Sequence, residues 1–238
     1  MIEYEKCKNA LACKLVNVRS GMHYLSQVPF APAFADMALT VCVLTQNRKK
    51  EDCFIPVTNQ MAGEWGISPS VILETARKNT FRILPPRVYP MREIMLSARE
   101  GSVYSKVESI LRGEYQGSDR EALQALSYLI SQKLCDKYEN CGGIANMWVR
   151  SNREWIFGAS GLLYPRVLET FAHTHHDSFY IIPSSVHEVI LIPESMAVSE
   201  GFLKEILQIV NGTVWAKDRF LSDCVYYYDK DTLEIRCL

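Results

Sequence analysis

The sequence predicts an α+β fold in which helices pack against mainly antiparallel sheet, and three observations support this prediction. Short apolar or alternating runs recur along the chain and are bounded by proline, glycine or polar turns, as strands are. Several of these runs come in pairs separated by a few polar residues, which indicates hairpins. Segments with apolar residues at helical spacing lie between the pairs, so helices and strands share the chain.

Composition sets the class of protein. The chain has 238 residues, of which 48% are hydrophobic and 22% charged, so one large domain or two small ones with a substantial core are expected. Its 26 basic and 27 acidic residues are spread evenly and give a net charge of -1. Without a basic stripe, neither a nucleic acid nor a membrane surface is an expected partner.

The chain's ends and cysteines predict a cytoplasmic protein without a cofactor. The start, MIEYEKCK, lacks the apolar core of a signal peptide, and no apolar run approaches the length of a membrane span. None of the eight cysteines forms a CxxC pair, which excludes zinc-ribbon and thioredoxin-like sites. We therefore expect reduced cysteines that pack as small hydrophobic residues.

The first predicted half covers residues 1–96. Residues 3–27 fit either a helix or a strand, because apolar residues at helical spacing overlap the alternating segment CKLVNV. Residues 38–57 then read as a hairpin. Ser68 and Pro69 predict the start of a helix that ends near Asn79, and the following FRILP predicts a short strand.

Residues 97–145 predict a helical insertion. Glu121 follows Ser118 at capping-box spacing, and an apolar stripe continues from there until Gly142 and Gly143 end the helix. We expect this insertion to separate the first half from a second α+β half, residues 146–238, in one composite domain.

The second half predicts two strand pairs and two helices before a final hairpin. MWVR and EWIFGASGLL read as paired strands, and a helix follows from about Tyr164 to Thr174. FYIIP and EVILIP predict a hairpin around the turn SSVH. Ser199 predicts the cap of a helix ended by Asn211-Gly212, and CVYYYDKDTLEIRC predicts a hairpin that turns near residues 229–231.

The two halves share a weak similarity. VILETARKNTFRILPPRV and RVLETFAHTHHDSFYIIPSSV both contain LET, a helix end and F-x-I-[LI]-P. A duplicated β-β-α-β unit explains this similarity, and chance with similar geometry explains it too.

Histidines at one predicted helix end form a candidate metal site. His173, His176 and Asp177 are spaced i, i+3 and i+4, so a continuous helix presents all three on one face. Imidazole and carboxylate ligands suit zinc, iron or manganese. The alternative is a helix C-terminus where histidines face the negative end of the helix dipole.

The SSVHE turn is the candidate catalytic site. Ser184, Ser185, His187 and Glu188 are the residue types of a catalytic triad, with Asp223 as a partner from elsewhere in the chain. Neighbouring residues do not ordinarily reach triad geometry among themselves, and a solvated turn is the alternative.

Other catalytic motifs are approached without being completed. HEVIL lacks the second histidine of HExxH, and GASG is one residue short of the elbow that would make Ser160 a nucleophile. The glycines of GASG are better explained by close backbone packing. No phosphate-binding loop, dinucleotide or kinase signature is present.

Five strings taken together resemble an uncharacterised bacterial family, a domain of unknown function from anaerobic gut bacteria. They are VPFAPAFADMALTVCVL, WGISPSVILETARKNTFRILP, GASGLLYPRVLETFA, FYIIPSSVHEVILIP and LSDCVYYYD, within residues 12–96 and 146–230. The resemblance implies a cytoplasmic bacterial protein associated with mobile elements. It assigns no activity to any residue, and it implies that the chain lacks an N-terminal region that members of the family carry.

These observations leave three hypotheses for function. The leading one is a non-enzymatic interaction or regulatory module that binds another protein, or another copy of itself, through a sheet edge or hairpin surface. The second is a metal-dependent or serine-type hydrolase that uses the His173–Asp177 cluster or the Ser184–Glu188 turn. The third is a nucleic-acid-binding or phage-defence protein, which requires a basic surface assembled by folding.

Overall fold

A computed structural model describes residues 2–45, 54–96, 125, 146–213 and 219–238. It confirms the α+β prediction, since helices pack against two antiparallel sheets. The predicted insertion, residues 97–145, lies outside the described residues except for Ala125, which is helical and buried.

The first sheet is formed entirely by residues of the first half. Its strands are β1 (Leu11–Asn17), β2 (Phe30–Pro32), β3 (Met37–Leu44) and β4 (Phe54–Pro56). Strand β3 lies at the centre with β1 on one side and both β2 and β4 on the other, and every residue of β3 is buried. The predicted hairpin over residues 38–57 is therefore confirmed as β3 and β4.

The ambiguous segment near the start of the chain resolves into a strand flanked by short helices. The helices are α1 (Tyr4–Cys7) and α2 (Met22–Leu25), and a 3-10 turn covers Lys8–Ala10. The alternating residues of β1 extend along β3, and the strand is covered on both faces, so nearly all of it is buried. Pairing with β3 thus overrides the helical spacing of the apolar residues.

Helix α4 (Pro69–Ile83) follows α3 (Asn59–Trp65) and corrects one prediction. Pro69 is the first helical residue, as predicted, although the side chain of Ser68 makes no capping hydrogen bond. The helix continues through FRI, so the predicted FRILP strand is wrong. Thr80 is held inside the helix, where its hydroxyl donates to the Ala76 carbonyl at 2.6 Å, and the chain leaves the helix only before Pro85-Pro86.

The second sheet joins both halves of the chain. Its strands are β5 (Pro86–Pro90), β6 (Trp148–Asn152), β7 (Phe179–Ser185), β8 (Glu188–Pro193), β9 (Tyr226–Tyr228) and β10 (Ile235–Cys237). They lie in the order β10, β9, β7, β8, β6, β5. The predicted hairpins β7–β8 and β9–β10 are both confirmed, whereas β5 comes from the first half and pairs with β6.

The segment EWIFGASGLL is not the predicted strand. Residues Gly158–Leu163 form a 3-10 helix that packs between the two sheets, and Phe157 enters it with a left-handed φ of 50°. The similar strings of the two halves differ in structure at one place, because FRILP ends a helix while FYIIP forms β7. Similar letters thus adopt different structures where their tertiary partners differ.

Among the described residues, three large apolar clusters hold these layers together, beside a small one of Leu25, Val28 and Ala38. The largest lies between the sheets and includes the 3-10 helix Gly158–Leu163 and helix α6 (Pro165–His175). The second packs α5 (Met91–Leu96) and α7 (Glu200–Thr213) against the second sheet, and the third packs α4 against the first sheet. The predicted cap of α7 is confirmed, since the Ser199 hydroxyl accepts the Phe202 N–H at 3.2 Å.

Candidate functional site

The β7–β8 turn brings four of the predicted catalytic residues together in one network. The hydroxyls of Ser184 and Ser185 both donate to Oε1 of Glu188, at 3.0 and 2.8 Å. The Ser185 hydroxyl also accepts the backbone N–H of His187 at 3.0 Å. The turn is therefore tied by its own side chains, which explains why polar residues occupy buried positions there.

Glu188 is a buried carboxyl group with one oxygen fully engaged. Its residue is 4% exposed, and Oε2 has no hydrogen-bond partner among the described residues. Burial raises the pKa of Glu188 to about 7, although the two serine hydroxyls favour the ionised form. The carboxyl group of Glu188 therefore changes from its protonated to its ionised form near neutral pH.

His187 is anchored on the other side of the turn. Its Nδ1 accepts the Phe157 N–H at 3.1 Å, and its ring stacks on that of Phe157 with a centroid separation of 5.7 Å. Burial and the charge of Lys14 lower the pKa of His187 to about 3. The imidazole is thus neutral at physiological pH.

The turn does not have triad geometry. A nucleophilic serine needs its proton directed at a histidine nitrogen, and here the protons of Ser184 and Ser185 are directed at Glu188. Ser160 is likewise engaged, because its buried hydroxyl donates to the Phe157 carbonyl at 2.7 Å. The glycines around it serve close packing, since a Cβ on Gly158 would lie 2.2 Å from the His187 carbonyl oxygen.

Asp223, the fifth predicted catalytic residue, lies elsewhere. Its Oδ1 accepts a hydrogen bond from the Asn211 side chain at 3.1 Å, at the end of α7. It lines a cavity of about 40 Å³ together with Glu200 and Lys204. The structure therefore places Asp223 with α7 and not in the hydrogen-bond network of the SSVHE turn.

The predicted metal ligands are separated by the end of helix α6. The helix ends at His175, and His176 follows with a left-handed φ of 54°, so the i, i+4 face is interrupted. The rings of His173 and His176 have centroids 6.0 Å apart, and Asp177 accepts the Ser195 N–H at 3.1 Å. In the described ranges, no group of three or more His, Cys, Asp or Glu residues is arranged to hold a metal ion.

Two buried cations beside the turn were not predicted. Lys14 is 6% exposed, and its Nζ lies 5.2 Å from the ring centroid of Phe54 and 5.5 Å from that of Phe157. Arg150 is completely buried, donates from Nη1 to the Gly158 carbonyl at 3.2 Å, and has its pKa lowered to about 10 by burial. Both cations thus contact the segment that separates the two sheets.

A buried polar network also links the two sheets, and no sequence motif indicates it. Asp36 accepts hydrogen bonds from Asn17 at 2.7 Å, from Ser222 at 2.8 Å and from the hydroxyl of Tyr226. Burial, and after it the hydrogen bond to Asp36, raise the pKa of Tyr226. The network joins the end of β1 to β9 and has the character of a structural clamp.

Three edge strands carry proline at positions whose backbone groups face away from the neighbouring strand. A backbone hydrogen bond next to each strand shows which residue pair is hydrogen-bonded to the neighbouring strand. Because hydrogen-bonded and non-hydrogen-bonded pairs alternate in antiparallel strands, this bond fixes which residues direct their N–H and C=O groups outward. Those residues include Pro32 in β2, Pro56 in β4, and Pro86 and Pro90 in β5. Because proline has no N–H, it blocks the addition of another strand.

The fourth edge strand, β1, is covered by helix α4. The outward-facing Cys13 N–H donates to the Thr80 hydroxyl at 2.8 Å, so a side chain of the helix replaces a strand partner. This strand is almost completely buried, and another chain has no access to it.

The remaining edge, β10, has neither device. Asp229 N–H bonds to the Glu234 carbonyl at 3.0 Å and Leu238 N–H to the Val225 carbonyl at 2.9 Å. Hydrogen-bonded and non-hydrogen-bonded pairs alternate between these two bonds, so the backbone N–H and C=O groups of Ile235 and Cys237 face away from β9. Within the described part of the chain, β10 is therefore the sheet edge with unprotected backbone groups.

Comparison with protein families identifies the chain. A family of unknown function, DUF5688, matches residues 1–230. The chain belongs to this family. The match confirms the predicted membership of a domain-of-unknown-function family. Neither the curated proteins nor the solved structures contain a match to the chain.

The DUF5688 match covers every residue predicted for a catalytic or metal site, and β10 lies just beyond it. The family description assigns no activity, so the roles proposed for those residues stay predictions. Among the described helices of this DUF5688 chain, none is long and apolar enough to cross a membrane.

Proposed function

We propose that this DUF5688 protein is a non-enzymatic interaction module that binds a protein partner by adding a strand to β10. The observation that carries the proposal is the outward-facing backbone of Ile235 and Cys237, at an edge that has no proline and that no described residue covers. Strand addition uses such groups as donors and acceptors for an extended segment of the partner.

The other edges support this choice. Prolines in β2, β4 and β5 and the cover on β1 are devices that prevent unwanted strand pairing. Because every other described edge is protected in this way, the open backbone of β10 distinguishes this edge as the place where a strand can be added. Leu233 and Leu238, which are 50% and 45% exposed, flank β10 and add apolar surface for a partner.

The cellular setting is part of the same proposal. The family resemblance supports a bacterial protein, and an association with mobile elements stays a prediction from that resemblance. The thiols of Cys7 and Cys13 are buried and form no disulfide, which supports a reducing compartment such as the cytoplasm.

The test compares Ile235→Pro with Ile235→Ala. Both substitutions remove the isoleucine side chain, but only proline also removes the outward N–H and places a ring against an incoming strand. Peptides selected from a random library against the native protein are the ligands. Nuclear magnetic resonance follows the amide signals of residues 235 and 237 in the native protein and in Ile235→Ala, and the signal of residue 237 in Ile235→Pro, which has no amide N–H at residue 235. We expect about tenfold weaker binding by the proline variant than by the alanine variant.

Binding of the peptides to the two variants decides whether a strand is added to β10. Peptides that shift and protect the amides of Ile235 and Cys237, and that lose affinity in the proline variant, support strand addition. Peptides that bind both variants equally, or that perturb only residues distant from β10, contradict it. Thermal unfolding of both variants checks that the proline has not disrupted the β9–β10 hairpin.

The hydrolase hypothesis has less support. The protons of Ser184 and Ser185 are directed at Glu188, and His176 interrupts the helical face that carries His173. Nucleic-acid binding is also less supported, because the buried cations Lys14 and Arg150 do not form a basic surface.

A further inference from the structure

Residues 234–236, at the start of β10, have charges that are complementary to those of a second copy of the same segment. Glu234 precedes the strand, Ile235 is its first residue and Arg236 follows, so acidic, apolar and basic side chains come in order. When two copies of this segment pair in antiparallel register about Ile235, each Glu234 lies opposite Arg236 of the other copy. Opposite charges at directly facing positions stabilise a pair of strands.

We infer that the strand added to β10 is β10 of a second copy of this chain, paired about Ile235. This inference rests on the proposed strand addition and names its partner. It predicts a twofold dimer in which the second sheets of the two copies form one continuous sheet.

The direction of the backbone N–H and C=O groups, which alternates from residue to residue along β10, fits this register. Ile235 is an outward-facing residue, so two facing isoleucines exchange both N–H to C=O hydrogen bonds as a hydrogen-bonded antiparallel pair. A register about Arg236 also matches the backbone phase, but it places Arg236 directly opposite its own copy. Like charges at facing positions are destabilising, so charge selects the register about Ile235.

The side chains separate onto two faces of the joined sheet. Arg236 lies beside Tyr227, with its guanidinium carbon 4.6 Å from the ring centroid, and Glu234 shares that face by alternation. Ile235 points to the opposite face and packs against the apolar cluster between the sheets. Both charge pairs therefore form on one face while the two Ile235 side chains meet on the other.

The dimer is expected to be weak. A three-residue strand with flanking Leu233 and Leu238 buries less surface than the roughly 1,200 Å² typical of stable complexes. Association therefore depends on protein concentration, and sedimentation equilibrium over a wide concentration range is the appropriate measurement.

Charge reversal tests the register directly. Glu234→Arg or Arg236→Glu alone places like charges opposite each other twice in the dimer, and we expect dissociation to become about tenfold easier. The double variant Glu234→Arg/Arg236→Glu recreates both opposite-charge pairs with exchanged partners and is expected to restore the dimer. Because Arg236 also contacts Tyr227, thermal unfolding of each variant controls for damage to the fold.

The results separate the two proposals. A monomer at every concentration, or a dimer that the single reversals do not weaken, overturns the second copy as partner. A double variant that stays as weak as the single variants overturns it as well. Protection of the Ile235 and Cys237 amides by a selected peptide, in a protein that does not dimerise, overturns self-association but retains strand addition. A dimer that survives Ile235→Pro does not form through β10 and overturns the self-association, whereas strand addition is still decided by the peptide test.

Discussion

Replacing Glu188 with glutamine should stabilise the protein most at alkaline pH. Glutamine has nearly the same shape and keeps the oxygen that accepts from Ser184 and Ser185. It removes the charge that burial disfavours. The two proteins therefore differ chiefly in the ionisation of one side chain.

The magnitude follows from the pKa of Glu188, which burial raises from 4.5 to about 7. Below pH 4.5 the carboxyl group is neutral in the folded and unfolded states and adds no dependence on pH. Between pH 4.5 and about 7 the folded state keeps a proton that the unfolded state has lost, so the native protein loses stability as the pH rises across this range, and the loss is complete above about pH 7. The full difference is about 3 kcal/mol, at about 1.4 kcal/mol per pKa unit.

Urea unfolding followed by tryptophan fluorescence measures this difference. The advantage of Glu188→Gln over the native protein should grow by about 3 kcal/mol from acidic to mildly alkaline pH. His187 has the opposite trend, because its pKa is lowered to about 3, but its contribution is common to both proteins and cancels in the difference. The exposed Glu154 supplies a matched control as Glu154→Gln. A difference between native and Glu188→Gln that is constant with pH would refute the reasoning.

Two further substitutions test the packing between the sheets. Gly158→Ala should destabilise the protein by about 3 kcal/mol or more, because the new Cβ would meet the His187 carbonyl oxygen at 2.2 Å and the Ser151 backbone at 2.6 Å. Gly63→Ala in α3, with no atom within 4 Å of the new Cβ, should be neutral or stabilising, and equal urea midpoints for these two variants would contradict the packing argument. Tyr226→Phe should destabilise by roughly 1–3 kcal/mol, since Asp36 loses a buried donor. A double-mutant cycle with Asp36→Asn should show coupling between the two, and strictly additive losses would exclude the proposed clamp.

Several elements could be predicted because their signals are local. The β7–β8 and β9–β10 hairpins combine apolar strands with polar turns, and Ser199 caps α7 where the sequence indicates. FRILP was predicted wrongly because a short apolar run before proline fits the end of a helix as well as a strand. The prolines of FAP, FIP and PRVYP also indicate edge strands, because proline cannot donate a hydrogen bond to a neighbouring strand.

The candidate sites depended on information that the sequence does not contain. Ser184, Ser185 and Glu188 were correctly placed in one turn, but the direction of each hydroxyl depends on how the buried carboxyl is packed. The burial of Arg150 could not be read from MWVR, because it requires the 3-10 helix that covers it.

By itself, the sequence determined the fold class, most hairpins and helix starts, and membership of a family of unknown function, since periodicity, turn residues and characteristic strings are carried by neighbouring residues. Only the tertiary structure decided which strand lies beside which, and therefore which edge of the sheet is open. The outward phase of Ile235 and Cys237 follows from the hydrogen bonds of β9 with β10. Such bonds join residues whose register is set by the packing of the whole sheet.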